Sequence, residues 1–188
     1  MSQPEVTVKL KKVHSDAILP TYANPLDAGF DLRAIEDVVI SPGQTVKVPT
    51  GIAIALPHGR EVQVRPRSGV SEKTKLRVSN APGTCDAGFR GEICVLVDNI
   101  AQLMPSRVVD GEIKFATGPL LGIDGKPTEY RPAGNEDETF YERTYVIRKG
   151  ERIAQGVLAI VKQAAFEEVD ELDKTERGED GFGSSGTQ

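Results

Sequence analysis

The sequence has little cysteine, little histidine and no long apolar run, and each shortage removes a class of function. Cys85 and Cys94 are the only cysteines among 188 residues. They form no CxxC pair, and the chain has no Asn-x-Ser/Thr acceptor, so neither a disulfide scaffold nor secretion is indicated and two reduced thiols are expected. His14 and His58 stand alone, without a second His, Cys or carboxylate at ligand spacing, which argues against a histidine-based zinc site or triad. No stretch approaches the roughly 18 to 20 apolar residues of a membrane span. Met1 to Lys12 holds no signal-peptide core or cleavage site, so a cytoplasmic protein without membrane contact is expected. An excess of positive charge is missing too: 23 Lys and Arg against 28 Asp and Glu leave a formal charge of −5. A general nucleic-acid binder would need a basic face for the phosphates. Neither the Walker loop GxxxxGK[ST] nor the GxGxxG fingerprint occurs, which disfavours a P-loop enzyme, and there is no internal repeat.

What is present points to an all-β chain. Hydrophobic residues make up 38% and charged residues 27%, enough for one buried core at this length. Gly and Pro together reach about 16% against the roughly 12% typical of soluble proteins, so turns should be frequent and long helices few. Short apolar runs recur at Val6 to Leu10, Val38 to Ile40, Val46 to Val48, Ile52 to Leu56, Val62 to Val64, Ile93 to Val97, Tyr145 to Ile147 and Val157 to Val161. Gly or Pro punctuates most of them, the rhythm of a β-sandwich or jelly roll. Only Gln163 to Glu176 has good helical propensity, with a thin apolar stripe that leaves its state open. Ala101 to Arg143, with four prolines and five glycines, reads as a long excursion between two strands, and loops of that length are usually functional or mobile. Residues 164–188 carry eight acids and two bases, so the net negative charge is concentrated there. The expected organisation is a β core over 1–163 with an arm at about 101–143, then an acidic C-terminal arm over 164–188.

Four stretches combine glycine with charge. Asp27-Ala28-Gly29-Phe30-Asp31-Leu32 reads by itself as a turn entering a strand. Arg65-Pro66-Arg67-Ser68-Gly69-Val70-Ser71 is a strand end running into a short turn, where free backbone N–H groups beside Arg and Ser suit a phosphate, although a capped turn would look the same. Asn80 to Glu92, with Asp86-Ala87-Gly88-Phe89 between two apolar runs, is a hairpin signal, and a hairpin backbone can offer donors and acceptors to a planar base. Arg177 to Gly186 has the composition of a free terminus, but it places one Arg and one Phe among glycines and serines: a cation and hydroxyls for phosphate, a ring to stack on a base.

Taken jointly, and with Gly150-Glu151-Arg152-Ile153-Ala154-Gln155 between the third and last, these stretches resemble in order and spacing the five motifs of the trimeric dUTPases, the deoxyuridine triphosphate nucleotidohydrolases. The resemblance covers nearly the whole chain except the excursion. It implies a β jelly-roll homotrimer whose three active sites are shared between subunits, with the C-terminal motif as a flexible lid. The implied reaction is Mg²⁺-assisted hydrolysis of dUTP to dUMP and pyrophosphate by in-line attack of water on the α-phosphorus, which keeps uracil out of DNA and supplies dUMP. By motif match, Asp86 would hold the water and meet the 3′-hydroxyl, acting mainly by orientation. Phe89, where most of the family has Tyr, would pack on the sugar and exclude a 2′-hydroxyl. Asn80 and the backbone from Gly83 to Phe89 would read uracil. Asp31 would contact Mg²⁺ through water, the ion being held mainly by the triphosphate. Ser68 and Gly69, supported by Arg67, match phosphate positions, and Gln155 matches an amide near the α-phosphate. Arg177 would grip the γ-phosphate, Phe182 would stack over uracil, and Gly183, Ser184 and Ser185 would supply donors. Gly156 stands where a Leu usually follows Gln155. The long excursion is similar to insertions of some phage dUTPases, which implies an exposed arm for a repressor-like protein partner or for trimer stability. The alternatives are a dCTP deaminase, also in bifunctional form, of the same fold, or a nucleotide-gated regulatory protein binding a repressor through the arm.

Overall fold

The computed structural model describes residues 6–132 and 139–179. In chain order its strands are β1 (Lys9–Lys12), β2 (Phe30–Arg33), β3 (Val38–Ile40), β4 (Thr45–Pro49), β5 (Ile52–Ala55) and β6 (Arg60–Pro66), followed by the helix α1 (Ser68–Lys73). Then come β7 (Leu76–Val78), β8 (Gly83–Asp86), β9 (Cys94–Asn99), β10 (Pro105–Val109), β11 (Glu112–Phe115), β12 (Thr117–Gly118), β13 (Leu121–Gly122), β14 (Phe140–Tyr141), β15 (Tyr145–Ile147) and β16 (Arg152–Ile160). One six-residue helix among sixteen strands makes the described chain all-β, the jelly-roll class that the turn rhythm indicates.

Alternation builds the two main sheets. In β9, Val95, Val97 and Asn99 point inward while Cys94, Leu96 and Asp98 are half-buried, a period of two. In β6, Val62 and Val64 are the inward residues. The sheets run β2-β16-β6-β8 and β4-β9-β7, and Val62, Val64, Leu76, Val95 and Val97 share one core with Leu32, Val48 and Ile147. β15 lies between β3 (antiparallel) and β13 (parallel), and all three of its residues are buried. Each such side chain stabilises the fold by about 1.5–3 kcal/mol on burial.

Three expectations are corrected. The stretch from Ser68 is not a simple turn but α1, missed because Gly69, Val70 and Ser71 are poor helix formers. The Asn80 to Glu92 stretch does not join a hairpin: β8 pairs with β6 and β9 with β4 and β7, so the turn closed by Phe89 N–H donating to the Asp86 carbonyl (3.1 Å) carries the chain from one sheet to the other. The excursion is not wholly an exposed arm. β10 and β11 form an exposed hairpin, but Leu120 is buried and β13 extends the β15 sheet. Residues 161–179 form neither helix nor strand.

Gly156 has a packing explanation. It pairs with Phe30 across β2 and β16, and the Phe30 ring fills the space a Cβ would need. Phe30 is itself held edge-to-face by Tyr22, with centroids 5.9 Å apart. Gly156→Leu should therefore cost about 1–3 kcal/mol by overpacking, read as a lower urea midpoint, and Phe30→Ala in the same chain should recover part of it. An unchanged midpoint in the single variant would refute this account.

Candidate functional site

Two neighbouring strand pairs assemble a charged cluster. On β2, residues two apart share a face, so Asp31 and Arg33 point the same way. β16 runs alongside with Arg152 opposite Arg33 and Gln155 opposite Asp31, and on its other side Gln155 faces Arg65 of β6. The chain leaves β6 at Arg67, whose guanidinium donates to Asp31 Oδ1 at 2.5 Å, while Arg152 donates to Asp31 Oδ2 at 3.2 Å. The Asp31 side chain is only 6% exposed, a depth at which a carboxylate needs such partners. Arg33 donates to the Gly150 carbonyl at 2.8 Å. Burial pushes the Arg67 guanidinium below its ordinary pKa; Asp31 opposes that, and Arg152 and Arg33 add to it. Two guanidiniums thus bond one carboxylate, with the Arg33 charge close to Arg67, leaving a local surplus of positive charge. An open cleft of about 570 Å³ adjoins them, walled by Arg33, Arg67, Lys73, Lys149 and Arg152, with Glu151 and Asp124 as its acids. Such a surface suits a polyanion. Burial also pushes the Glu151 carboxyl up, opposed by the Arg148 backbone N–H that it accepts at 2.8 Å.

Ser68 and Gly69 open α1 at the edge of this cluster, both exposed, and nothing would meet a Cβ at Gly69. The Gln155 side chain lies over Gly29, where an added Cβ would stand 3.1 Å from Gln155 Cβ. That contact couples the Asp27 to Leu32 stretch to the Gly150 to Gln155 stretch. Asp31, Arg67, Ser68, Gly69 and Gln155 are therefore brought together.

Asp86 is not with them. It lies at the end of β8, opposite Glu61 at the start of β6, whereas Arg67 follows the end of β6. Six residues of extended chain separate the two places by roughly 20 Å. Phe89 is tied to Asp86 by the turn after β8, whereas Asn80 and Gly83 lie at the other end of β8, Gly83 opposite Val64. The Asn80 amide covers Gly83, where a Cβ would stand 3.1 Å from Nδ2, and the Phe89 ring lies over Gly91, leaving room for no side chain there. Phe89 is 44% exposed. Among the described residues nothing hydrogen-bonds the exposed Asp86 carboxylate. Cys85 beside it is pushed up by burial first and by the Asp86 charge second. Arg177 lies in the exposed C-terminal segment, and Phe182, Gly183, Ser184 and Ser185 lie outside the described residues. Sequence reasoning missed Arg33, Arg152, Lys73 and Lys149. For Arg33 the signal was its i+2 spacing from Asp31; Arg152 reaches Asp31 only through the pairing of β16 with β2, and Lys73 and Lys149 reach the cleft from α1 and from the turn before β16.

Comparison with known proteins gives concordant results. The dUTPase family profile matches residues 15–105 and 139–186, passing over 106–138. The deoxyuridine 5'-triphosphate nucleotidohydrolase of Syntrophotalea carbinolica is 39% identical over 183 residues, covering 96% of this chain and 97% of that one. The protein of the same name from Thermobifida fusca is 42% identical over 181 residues, 96% of this chain and 79% of its own. Among solved structures, the dUTPase of Staphylococcus bacteriophage 80alpha with dUpNHpp superposes with a TM-score of 0.82 at 31% identity, covering 96% and 99% of the two chains. A mutant dUTPase of phage phi11 of S. aureus, which coordinates a structural Mg(II) ion, gives 0.75 at 26% identity over 90% and 100%. No helix among the described residues is long and apolar enough to cross a membrane.

Proposed function

The chain belongs to the dUTPase family and hydrolyses dUTP to dUMP and pyrophosphate, and from that premise we propose that each active site is completed by neighbouring chains of a homotrimer in the cytoplasm. The separation of about 20 Å along β6 supports this reading: a nucleotide's sugar and triphosphate cannot reach both Asp86 and Ser68 of one chain at that spacing. An Asp86 group from one subunit facing the Arg67 cluster of another restores the constellation.

In this reading the uracil ring is read by Asn80 and the backbone from Gly83 to Phe89. The close cover of Asn80 on Gly83 gives that segment a fixed shape, and fixed donors discriminate between bases far better than loose ones. The Phe89 ring packs on the deoxyribose. Asp86 accepts from the 3′-hydroxyl and from the attacking water, holding it in line with the α-phosphorus. Arg67, Ser68 and Gly69 take the phosphates, Gln155 donates near the α-phosphate, and Arg177 with Phe182, Gly183, Ser184 and Ser185 closes over the bound nucleotide. Ordering that tail costs about 1–2 kcal/mol per residue in backbone entropy, so closure needs the triphosphate's contacts.

The residues fit a cation delivered by the substrate. Among the described residues no three His, Cys, Asp or Glu converge. Both Asp31 oxygens already accept from arginines, so their remaining lone pairs suit a water-mediated contact with Mg²⁺ rather than direct ligation. When bound, the ion supplies charge neutralisation on the phosphates. A repressor-like partner of the arm would meet Val108 and Ile113 of the β10–β11 hairpin, 68% and 59% exposed.

The test is a panel of dUTP, dCTP, dTTP and UTP with and without Mg²⁺, products separated by chromatography. Mg²⁺-dependent dUMP from dUTP alone is expected. Ammonia from dCTP would favour the deaminase, and bound but intact dUTP would favour the regulator. In the same assay Phe89→Tyr should change kcat/KM by less than about tenfold, because the ring contributes most of the sugar contact. A change of about two decades would show that the phenol does more than stack.

A further inference from the structure

We propose that the turn from Gly122 to Lys126, in the segment over which the family profile passes, is a positioning element for α1 and so sets where Ser68 and Gly69 meet the phosphates. The inference rests on the phosphate role just given to those two residues.

α1 has little to fix it from within. It has six residues, none buried, and Arg67 at its N-cap provides no side-chain cap bond. A helix this short is marginal by itself, so its place is decided by what packs on it. The arm packs on its C-terminal end. Gly125, at φ +76°, approaches the Lys73 carbonyl so closely that a Cβ would fall inside 3.0 Å of the oxygen. Ile123 packs against the core and, with Val70, Leu76, Ile147 and Ile153, encloses a small cavity beneath the helix.

The turn is rigid enough to act as a stop. Gly125 N–H donates to the Gly122 carbonyl (2.9 Å), Gly122 N–H to the Lys126 carbonyl (2.8 Å), and Lys126 N–H to Asp124 Oδ1 (3.0 Å). Immediately before it, Leu121 and Gly122 pair with Tyr145 and Val146 of the buried β15. The ends of the excursion are tied as well: the Asn99 amide donates to the Arg143 carbonyl at 2.8 Å and to the Ile40 carbonyl at 3.0 Å. The inserted segment is therefore clamped to a core strand on one side and to the phosphate helix on the other. Coupling between them is reciprocal: whatever displaces the turn weakens triphosphate binding, and triphosphate binding resists that displacement by the same factor.

Gly111 supplies the control. It has φ +78°, so an alanine there carries the same left-handed strain as at Gly125, but nothing lies within 4 Å of its Cβ. Gly125→Ala and Gly111→Ala should be compared for dUTP turnover, for affinity toward dUpNHpp and dUMP, and for hydrogen exchange over residues 68–73. Gly125→Ala should weaken dUpNHpp binding by about 5- to 150-fold, the usual span of a coupling between sites, leave dUMP affinity nearly unchanged, and speed α1 exchange. Gly111→Ala should match the parent in all of these. Equal losses for dUpNHpp and dUMP, or α1 exchange that does not respond to Gly125→Ala, would overturn the proposal. A parent protein that neither binds nor hydrolyses dUTP would instead overturn the function reading, while the exchange comparison would still report on the turn.

Discussion

Asp86→Asn should lower kcat by about 10²- to 10⁴-fold, the usual contribution of a positioned base, with dUTP affinity within a few-fold of the parent. The amide keeps the size of the side chain and a hydrogen bond to the 3′-hydroxyl, but it loses the negative oxygen that orients and polarises water. The fold should not suffer, because Asp86 is exposed at the end of β8 and its carboxylate holds nothing else among the described residues. Single-turnover kinetics with dUTP and calorimetric titration with dUpNHpp separate the two effects. A kcat within tenfold of the parent would remove Asp86 from the reaction. The same variant tests subunit sharing. Mixed with Ser68→Ala chains and reassembled, it should recover roughly a quarter of parental activity, since random trimers place two intact halves at one site in about that share of cases. Sites made by single chains would recover nothing.

The second large effect is on stability. Asp31→Asn should destabilise the protein by about 3–5 kcal/mol, because removing one partner from a buried pair leaves the other charge uncompensated. The Arg67 contact dominates: Arg152 is 43% exposed and can turn to solvent, so its share is small. Arg33 close to Arg67 aggravates the loss. Chemical denaturation at fixed chain concentration measures it, and Asp31→Asn combined with Arg67→Met should recover much of the difference. If the single variant lies within about 1 kcal/mol of the parent, the ion pairs do not organise this end of the sheet.

Local patterns exposed most of the strands and few of the partnerships. Val62 and Val64, or Val95 and Val97, alternate along the chain, and alternation is a property of neighbours in sequence. Gly156 looked anomalous because its reason is Phe30, which lies far away in sequence and meets it only through strand register. The same holds for Arg152 beside Asp31. The hairpin of β10 and β11 carries a local signal: Asp110-Gly111, both with positive φ, stands between Val108-Val109 and Glu112-Ile113 as a strong turn dipeptide, hidden among the prolines and glycines of a stretch read as a loop. The helical propensity of Gln163 to Glu176 produced no helix, and every residue there is exposed; propensity without a surface to bury against stabilises little.

The length of β6 makes catalysis a matter of abundance. If the sites are shared between subunits as proposed, the seven residues of β6 hold Asp86 and Ser68 too far apart for a solitary molecule to turn over substrate. Specific activity should then fall with dilution rather than stay constant, and rate plotted against protein should curve upward at low concentration. In the range where the trimer dissociates, a cell with fewer copies of this chain would lose activity more than proportionally.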